Sequence, residues 1–377
     1  ALERQVHEER AVILELLSGR PRRPTVPEPG VRPRAMQMPN ALQAFLEAAG
    51  PEEARLIAQR PALLSAFAES QELTDGAIEG FNSEERIQIL SLFTAWATVS
   101  TSALHVSDLQ LTDEEVEEMV NTLESCEEVK EWEMTRCRSS NIAMRQLLNH
   151  LSSHALCRLG LSYNAIGLQG ARLLGEAARI GGWKHSLGCL GLEMNGLGDA
   201  GCKQVASLVK QYLPALSVLE LGWNEVTGAS AAELAQLVRA PDGDKDAGLP
   251  VLLRRLGLAG NSLASAASKL VLAALSDPSR ELELDLSMNH VDAQALRDAA
   301  EWARARNSGE VQVHLTVSLE WNTIDDPEAV RDLANALSGA ELMVAEAGQP
   351  LIQLANNELL DLQASEILDA SVNLIML

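Results

Sequence analysis

Apolar residues recur along this chain in a single frame around one polar position. Seven segments align on an asparagine, with apolar residues five and three places before it and two after it. They are LGLSYNAI (159–166), LGLEMNGL (190–197), LELGWNEV (219–226), LGLAGNSL (256–263), LDLSMNHV (284–291), VSLEWNTI (317–324) and IQLANNEL (352–359). The shared residues are Asn164, Asn195, Asn224, Asn261, Asn289, Asn322 and Asn357. Two weaker copies precede them. WEMTRCRS (132–139) carries Cys137 in the asparagine slot, and LHVSDLQL (104–111) carries Leu109 there, which makes nine repeats.

Alternating apolar residues such as Leu190 and Leu192 predict a short strand buried on one face. The asparagine falls where the chain leaves the strand, and its amide is suited to satisfying turn groups that no strand partner reaches. Cys137 fits the slot as a small, weakly polar substitute. Helical spacing follows, as in GARLLGEAAR, GCKQVASLVK and ASAAELAQLV. One strand and one helix in about 28 residues cannot bury their apolar faces alone, so neighbours must stack. The pattern therefore predicts an α/β solenoid with parallel strands on the concave face and the wider helices outside. The asparagines lie 31, 29, 37, 28, 33 and 35 residues apart. The surplus precedes each next strand, notably in PDGDKDAGLP (241–250), which assigns insertions to one rim.

The runs Asn164-Ala-Ile-Gly-Leu-Gln-Gly-Ala and Asn195-Gly-Leu-Gly-Asp-Ala-Gly-Cys resemble the ribonuclease-inhibitor-like subfamily of leucine-rich-repeat proteins over about residues 100–377. The resemblance implies a right-handed horseshoe. It is nearly silent on function, because that subfamily serves many partners.

Residues 1–18 form an amphipathic helix candidate, and 19–39 read as a Pro/Arg-rich extended linker. Such a linker is either a solvated spacer or a tail laid along an acidic surface, whether a partner's or the chain's own. Residues 40–100 read as purely helical, with Asn40 and Ser83 as N-caps, Gly50 as a stop, and Pro51 and Pro61 as starts. All four phenylalanines and Trp96 fall there, which suggests a small all-α cap with its own core before the repeat domain at 101–377. The apolar ending QASEILDASVNLIML predicts either a continuing chain or a tip covered by a partner.

A formal net charge of −23 argues against a nucleic-acid groove and an anionic membrane surface, and favours a protein partner with a basic contact surface. Five cysteines without a pairing pattern, and no Asn-x-Ser/Thr acceptor, point to an intracellular setting, cytoplasmic or inside an organelle. No phosphate-cradling loop, HExxH or paired CxxC occurs, so no catalytic residue, metal or cofactor is expected. His150 and His154 are spaced i, i+4 but straddle a helix-to-strand connection. Asp242, Asp244 and Asp246 imitate a calcium loop, but its glycine is one place late and no closing glutamate follows.

A solenoid leaves its strand face open, unlike most parallel sheets. Nine strands about 4.8 Å apart offer roughly 40 Å of surface, enough for a protein domain or a long peptide. Glu133, Glu193, Glu220, Asp285 and Glu320 are assigned to that face, with Arg136 as an early exception. The residue before each asparagine forms a column that includes Tyr163, Met194, Trp223, Met288 and Trp321. Aromatic and methionine residues ringed by charge are typical of interface hot spots, although such a column also arises by packing along the sheet. The expectation is a non-enzymatic interaction scaffold or a subunit of a hetero-complex. The alternative is a GTPase-activating protein of the Ran-directed repeat type, similar in its acidic body and in an early-repeat arginine, here Arg136 or Arg138.

Overall fold

The computed structural model describes residues 40–70, 72–124, 129–239, 253–277, 280–305, 311–338, 342–344, 351–357 and 375–376. Helices come first: α1 (Asn40–Ala49), α2 (Pro51–Ala58), α3 (Pro61–Ser65) and a π-type turn at Ala66–Ser70. Strand β1 (Glu72–Thr74), α4 (Asp75–Ile78) and the long α5 (Ser83–Thr101) complete this part. Alternation then begins with β2 (Ala103–Ser107), α6 (Asp113–Leu123), β3 (Glu131–Thr135), α7 (Asn141–Leu151), β4 (Arg158–Gly160) and α8 (Gly167–Ala178). It continues through β5 (Cys189–Gly191), α9 (Gly198–Tyr212), β6 (Val218–Glu220), α10 (Ala231–Val238), β7 (Arg255–Gly257) and α11 (Ala267–Leu275). The last described elements are β8 (Leu282–Asp285), α12 (Gln294–Ala305), β9 (Val311–Val313), β10 (Leu315–Ser318), α13 (Pro327–Ser338), β11 (Leu342–Val344), β12 (Ile352–Gln353) and β13 (Ile375–Met376).

Eleven strands form one open, all-parallel sheet in the order β1 to β8, β10, β12, β13. Register follows the sequence frame: Trp132, Leu159, Leu190, Leu219, Leu256, Leu284 and Val317 pair in succession. All seven are buried beneath the helices. Burying a leucine of this kind stabilises the fold by about 2–3 kcal/mol, so a slip in register would forfeit a whole row. The result is a repeating α/β solenoid consistent with a leucine-rich-repeat-like architecture. Part of the surplus before β10 and β12 is itself ordered, because β9 and β11 pair in a second, two-stranded parallel sheet. Among the described residues no helix is long and apolar enough to cross a membrane.

Two expectations for the front end need correction. Residues 40–100 are not purely helical, because β1 pairs with β2 and extends the sheet by one strand. A three-residue edge strand with one buried apolar residue, Leu73, leaves almost no periodic signal. Nor does this part have a separate core. Phe67 and Phe93 meet edge to face at 5.2 Å, and they belong to the same continuous cluster as the repeats. Pro51 and Pro61 do open their helices, but the cap of α5 is Asn82, which shares a capping box with Glu85, and Asn40 is already helical. Glu115 closes a second box at Thr112 and also takes a 2.7 Å ion pair from Arg86 on α5, tying the helical part to the first repeat.

The asparagine slot explains how neighbouring repeats are joined. Asn224 accepts from the amides of Asn195 (2.9 Å) and Leu197 (3.3 Å) in the preceding turn. Its own amide donates to the carbonyls of Leu192 (2.8 Å) and Leu221 (3.1 Å). Asn164, Asn261, Asn322 and Asn357 repeat this arrangement, and Asn195 and Asn289 keep most of it. Each asparagine thus serves the turn before its own. That direction accounts for Leu109: the strand before it, β1, runs straight into α4, so an amide there would have no turn to serve. Cys137 should serve the turn at Leu109. It does so weakly, with Sγ 3.5 Å from the Val106 carbonyl.

Candidate interaction surface on the open strand face

The candidate residues fall in three of the rows of side chains on the face away from the helices. The second strand position pairs Glu133, Gly160, Gly191, Glu220, Gly257, Asp285 and Ser318 in succession. The fourth position supplies Glu193 and Glu320. The third row is the residue just before each asparagine slot, and its backbone is unusual.

Nine residues occupy this row, and all nine are left-handed: Asp108, Arg136, Tyr163, Met194, Trp223, Gly260, Met288, Trp321 and Asn356, with φ between +52° and +68°. The conformation follows from the hydrogen bonding. The amides from Asp108 to Trp321 donate across to the next repeat, as Tyr163 does to Glu193 (2.8 Å) and Trp223 to Ala259 (2.8 Å), and the chain must then turn sharply into the slot. Glycine or asparagine adopts this region readily; other residues lose about 1–2 kcal/mol in it. Gly260 and Asn356 obey that preference. Five bulky apolar side chains do not.

Those five remain open to solvent. Tyr163 is 38% exposed, Met194 43%, Trp223 49%, Met288 40% and Trp321 55%; only Val99, Ile142 and Ile180 join them as exposed large hydrophobics among the described residues. Packing along the sheet exists but is partial. The Trp223 ring lies over Gly260, where any Cβ would overlap it, yet about half of the indole still faces solvent.

At the N-terminal end the row changes character. Arg136 grips Asp108 with both arms of its guanidinium, the Nη2 contact being 2.9 Å, and lies 5.4 Å over the Tyr163 ring. The hydrogen bond from Arg136 holds the Asp108 carboxyl below the usual aspartate range. Arg136, one of the two arginines that a GTPase-activating role would present, is therefore engaged within its own face. With Arg138, Tyr163 and Met194 it borders a shallow depression of about 360 Å³.

The acidic residues are more nearly neutralised than their sequence suggests. Arg255 pairs with Glu220 (2.6 Å) and Glu283, and lies 3.9 Å from Asp285; Arg158 pairs with Glu133 at 3.5 Å. Sequence reasoning missed both arginines because each opens its strand, one position before the buried leucine and two before the row inspected. The alternation LxL was the available signal. Glu193 and Glu320 have no ion-pair partner among the described residues. Burial and the nearby Glu220 carboxylate push the Glu193 carboxyl above its ordinary value.

Other candidates sort as follows. His150 and His154 do meet, with Nε2 atoms 3.1 Å apart, but no group of three or more metal-ligating side chains forms among the described residues. Asp242, Asp244, Asp246 and most of the apolar C-terminal stretch lie outside those residues. Cys137, Cys157, Cys189 and Cys202 are free thiols; burial raises Cys137 to about 11 and Cys202 to about 12. No family model matches the chain, and no curated protein is significantly similar to it.

Proposed function

We propose that this chain is a leucine-rich-repeat protein of the ribonuclease-inhibitor-like kind, acting as a non-enzymatic scaffold that holds a protein partner on its open strand face. One observation carries the reading: a row whose backbone favours glycine is filled instead by Tyr163, Met194, Trp223, Met288 and Trp321, half in solvent. The conformation disfavours these residues by about 1–2 kcal/mol each, and about half of each side chain is left in solvent rather than taken into the core. Rigid aromatic and methionine anchors are what a protein interface uses at its centre. The carboxylates Glu193 and Glu320 beside them, without an ion-pair partner among the described residues, favour a partner with lysine or arginine at the rim.

The test is affinity capture with cross-linking mass spectrometry from native extract, comparing the parent chain with a W223A/M288A/W321A variant. The expected result is a partner cross-linked to the row and lost in the variant, while the far-ultraviolet circular dichroism and melting temperature stay unchanged. A partner retained undiminished by the variant, or cross-links confined to the helical side, would sink the reading.

A further inference from the structure

The row on the open face and residues 20–39 of the same chain, RPRRPTVPEPGVRPRAMQMP, are complementary in spacing and in charge. Pro21, Pro24, Pro27, Pro33 and Pro39 share one three-residue register, with Gly30 and Met36 in its other two places; Pro29 is the one proline of the segment outside it. A polyproline helix has three residues per turn and a rise of about 3.1 Å, so these residues would line one edge at about 9.3 Å intervals. Alternate strands of the sheet stand about 9.6 Å apart, which spaces Tyr163, Trp223 and Met288 to the same measure. Aromatic-lined surfaces are the usual receptors for such proline edges. The segment also carries five arginines and one glutamate, the arginines all off the proline register. Glu193 and Glu320, unpaired among the described residues, flank the row they would meet.

Reach permits the contact within one molecule. Asn40 opens α1, in the part of the chain that carries the edge strand β1, and Trp223 follows β6, five strand spacings or about 24 Å along the sheet. Thirteen residues from Pro27 to Asn40 span about 40 Å in polyproline form. We propose that residues 20–39 dock along this row in cis as a polyproline-type strand, competing there with the partner. The proposal rests on reading the open face as a binding surface.

Acrylamide quenching of tryptophan fluorescence in the full chain tests it. Trp96, Trp132 and Trp183 are buried and Trp302 is half-buried, so the quenchable signal comes chiefly from Trp223 and Trp321. A variant with Arg20, Arg22, Arg23, Arg32 and Arg34 all changed to Gln leaves the repeats untouched. Docking predicts that quenching rises about two-fold in this variant, as expected when a covered aromatic row is freed. It also predicts that a synthetic 20–39 peptide restores protection to the variant, whereas a peptide of equal composition without the every-third-residue prolines does not. Equal quenching in parent and variant, or equal protection by both peptides, overturns the proposal. Protection that grows with protein concentration alongside a dimer overturns the cis form. The scaffold reading is judged separately: partner capture that depends on Trp223 and Trp321 despite equal quenching refutes this inference alone.

Discussion

The turn after β2 and the turn after β6 have the same backbone and opposite chemistry. Asp108 and Trp223 sit at φ +59° and +57° in equivalent places. In the first turn the slot holds Leu109, and the exposed row is an ion pair between Asp108 and Arg136. In the second the slot holds buried Asn224, and the row is an indole half in solvent. The slot therefore varies with what the preceding turn requires, whereas the exposed residue varies freely under one backbone. Only the former is dictated by folding.

The comparison would break first at the slot. Asn224→Ala strands two amides and two carbonyls in the interior and should lower the unfolding free energy by about 3–4 kcal/mol in urea titration, with Asn224→Cys losing clearly less. A loss below 1 kcal/mol would mean that the ladder is ornamental. Next is Gly260→Ala, which meets the Trp223 ring and a left-handed backbone and should destabilise by about 1–2 kcal/mol. In a W223A background that penalty should shrink, a coupling that a double-mutant cycle would measure. Cys137→Asn, bringing the early turn up to the pattern of the later ones, should add about 1 kcal/mol.

The smallest effects concern charge. Burial alone would raise the Asp199 carboxyl, but Ser230 Oγ (2.5 Å), Thr227 Oγ1 (2.6 Å) and the Thr227 amide (2.9 Å) outweigh it and hold it below the ordinary value. Its stabilising share is complete above the unfolded aspartate value, about pH 4, and disappears as pH falls through the lower folded value. The stability gap between the parent and Asp199→Asn, on the order of 1 kcal/mol at pH 6, should accordingly close toward pH 3. Asp108→Asn breaks a surface pair about half exposed to solvent and should leave the melting temperature unchanged within error.

Much of this was legible in advance, because a buried row leaves a period in the sequence. The seven asparagines and the paired leucines are visible without coordinates, and so is Cys137 as a slot residue. What remained hidden was short or reached across repeats. β1 offers one buried apolar residue, Leu73. Arg158 and Arg255 lie outside the row the alternation draws attention to, and their carboxylate partners come from neighbouring strands as much as 35 residues away. The left-handed row was hidden for another reason: tryptophan and methionine argue against that conformation, and only the cross-strand amide bonds impose it. A local rule broken five times in one row is the observation on which the proposed binding surface rests.

Because each asparagine serves the turn before its own, the solenoid is assembled one repeat in arrears. On a ribosome the turn at Asn195 stays unclosed until Asn224 has been added, 29 residues later, and the turn at Asn224 waits for Asn261, 37 residues on. The nascent edge is therefore always the incomplete one, and the longest wait falls in the middle of the array, beside Trp223. A synonymous stretch that slows translation between Asn224 and Asn261 would prolong that exposure more than the same pause elsewhere.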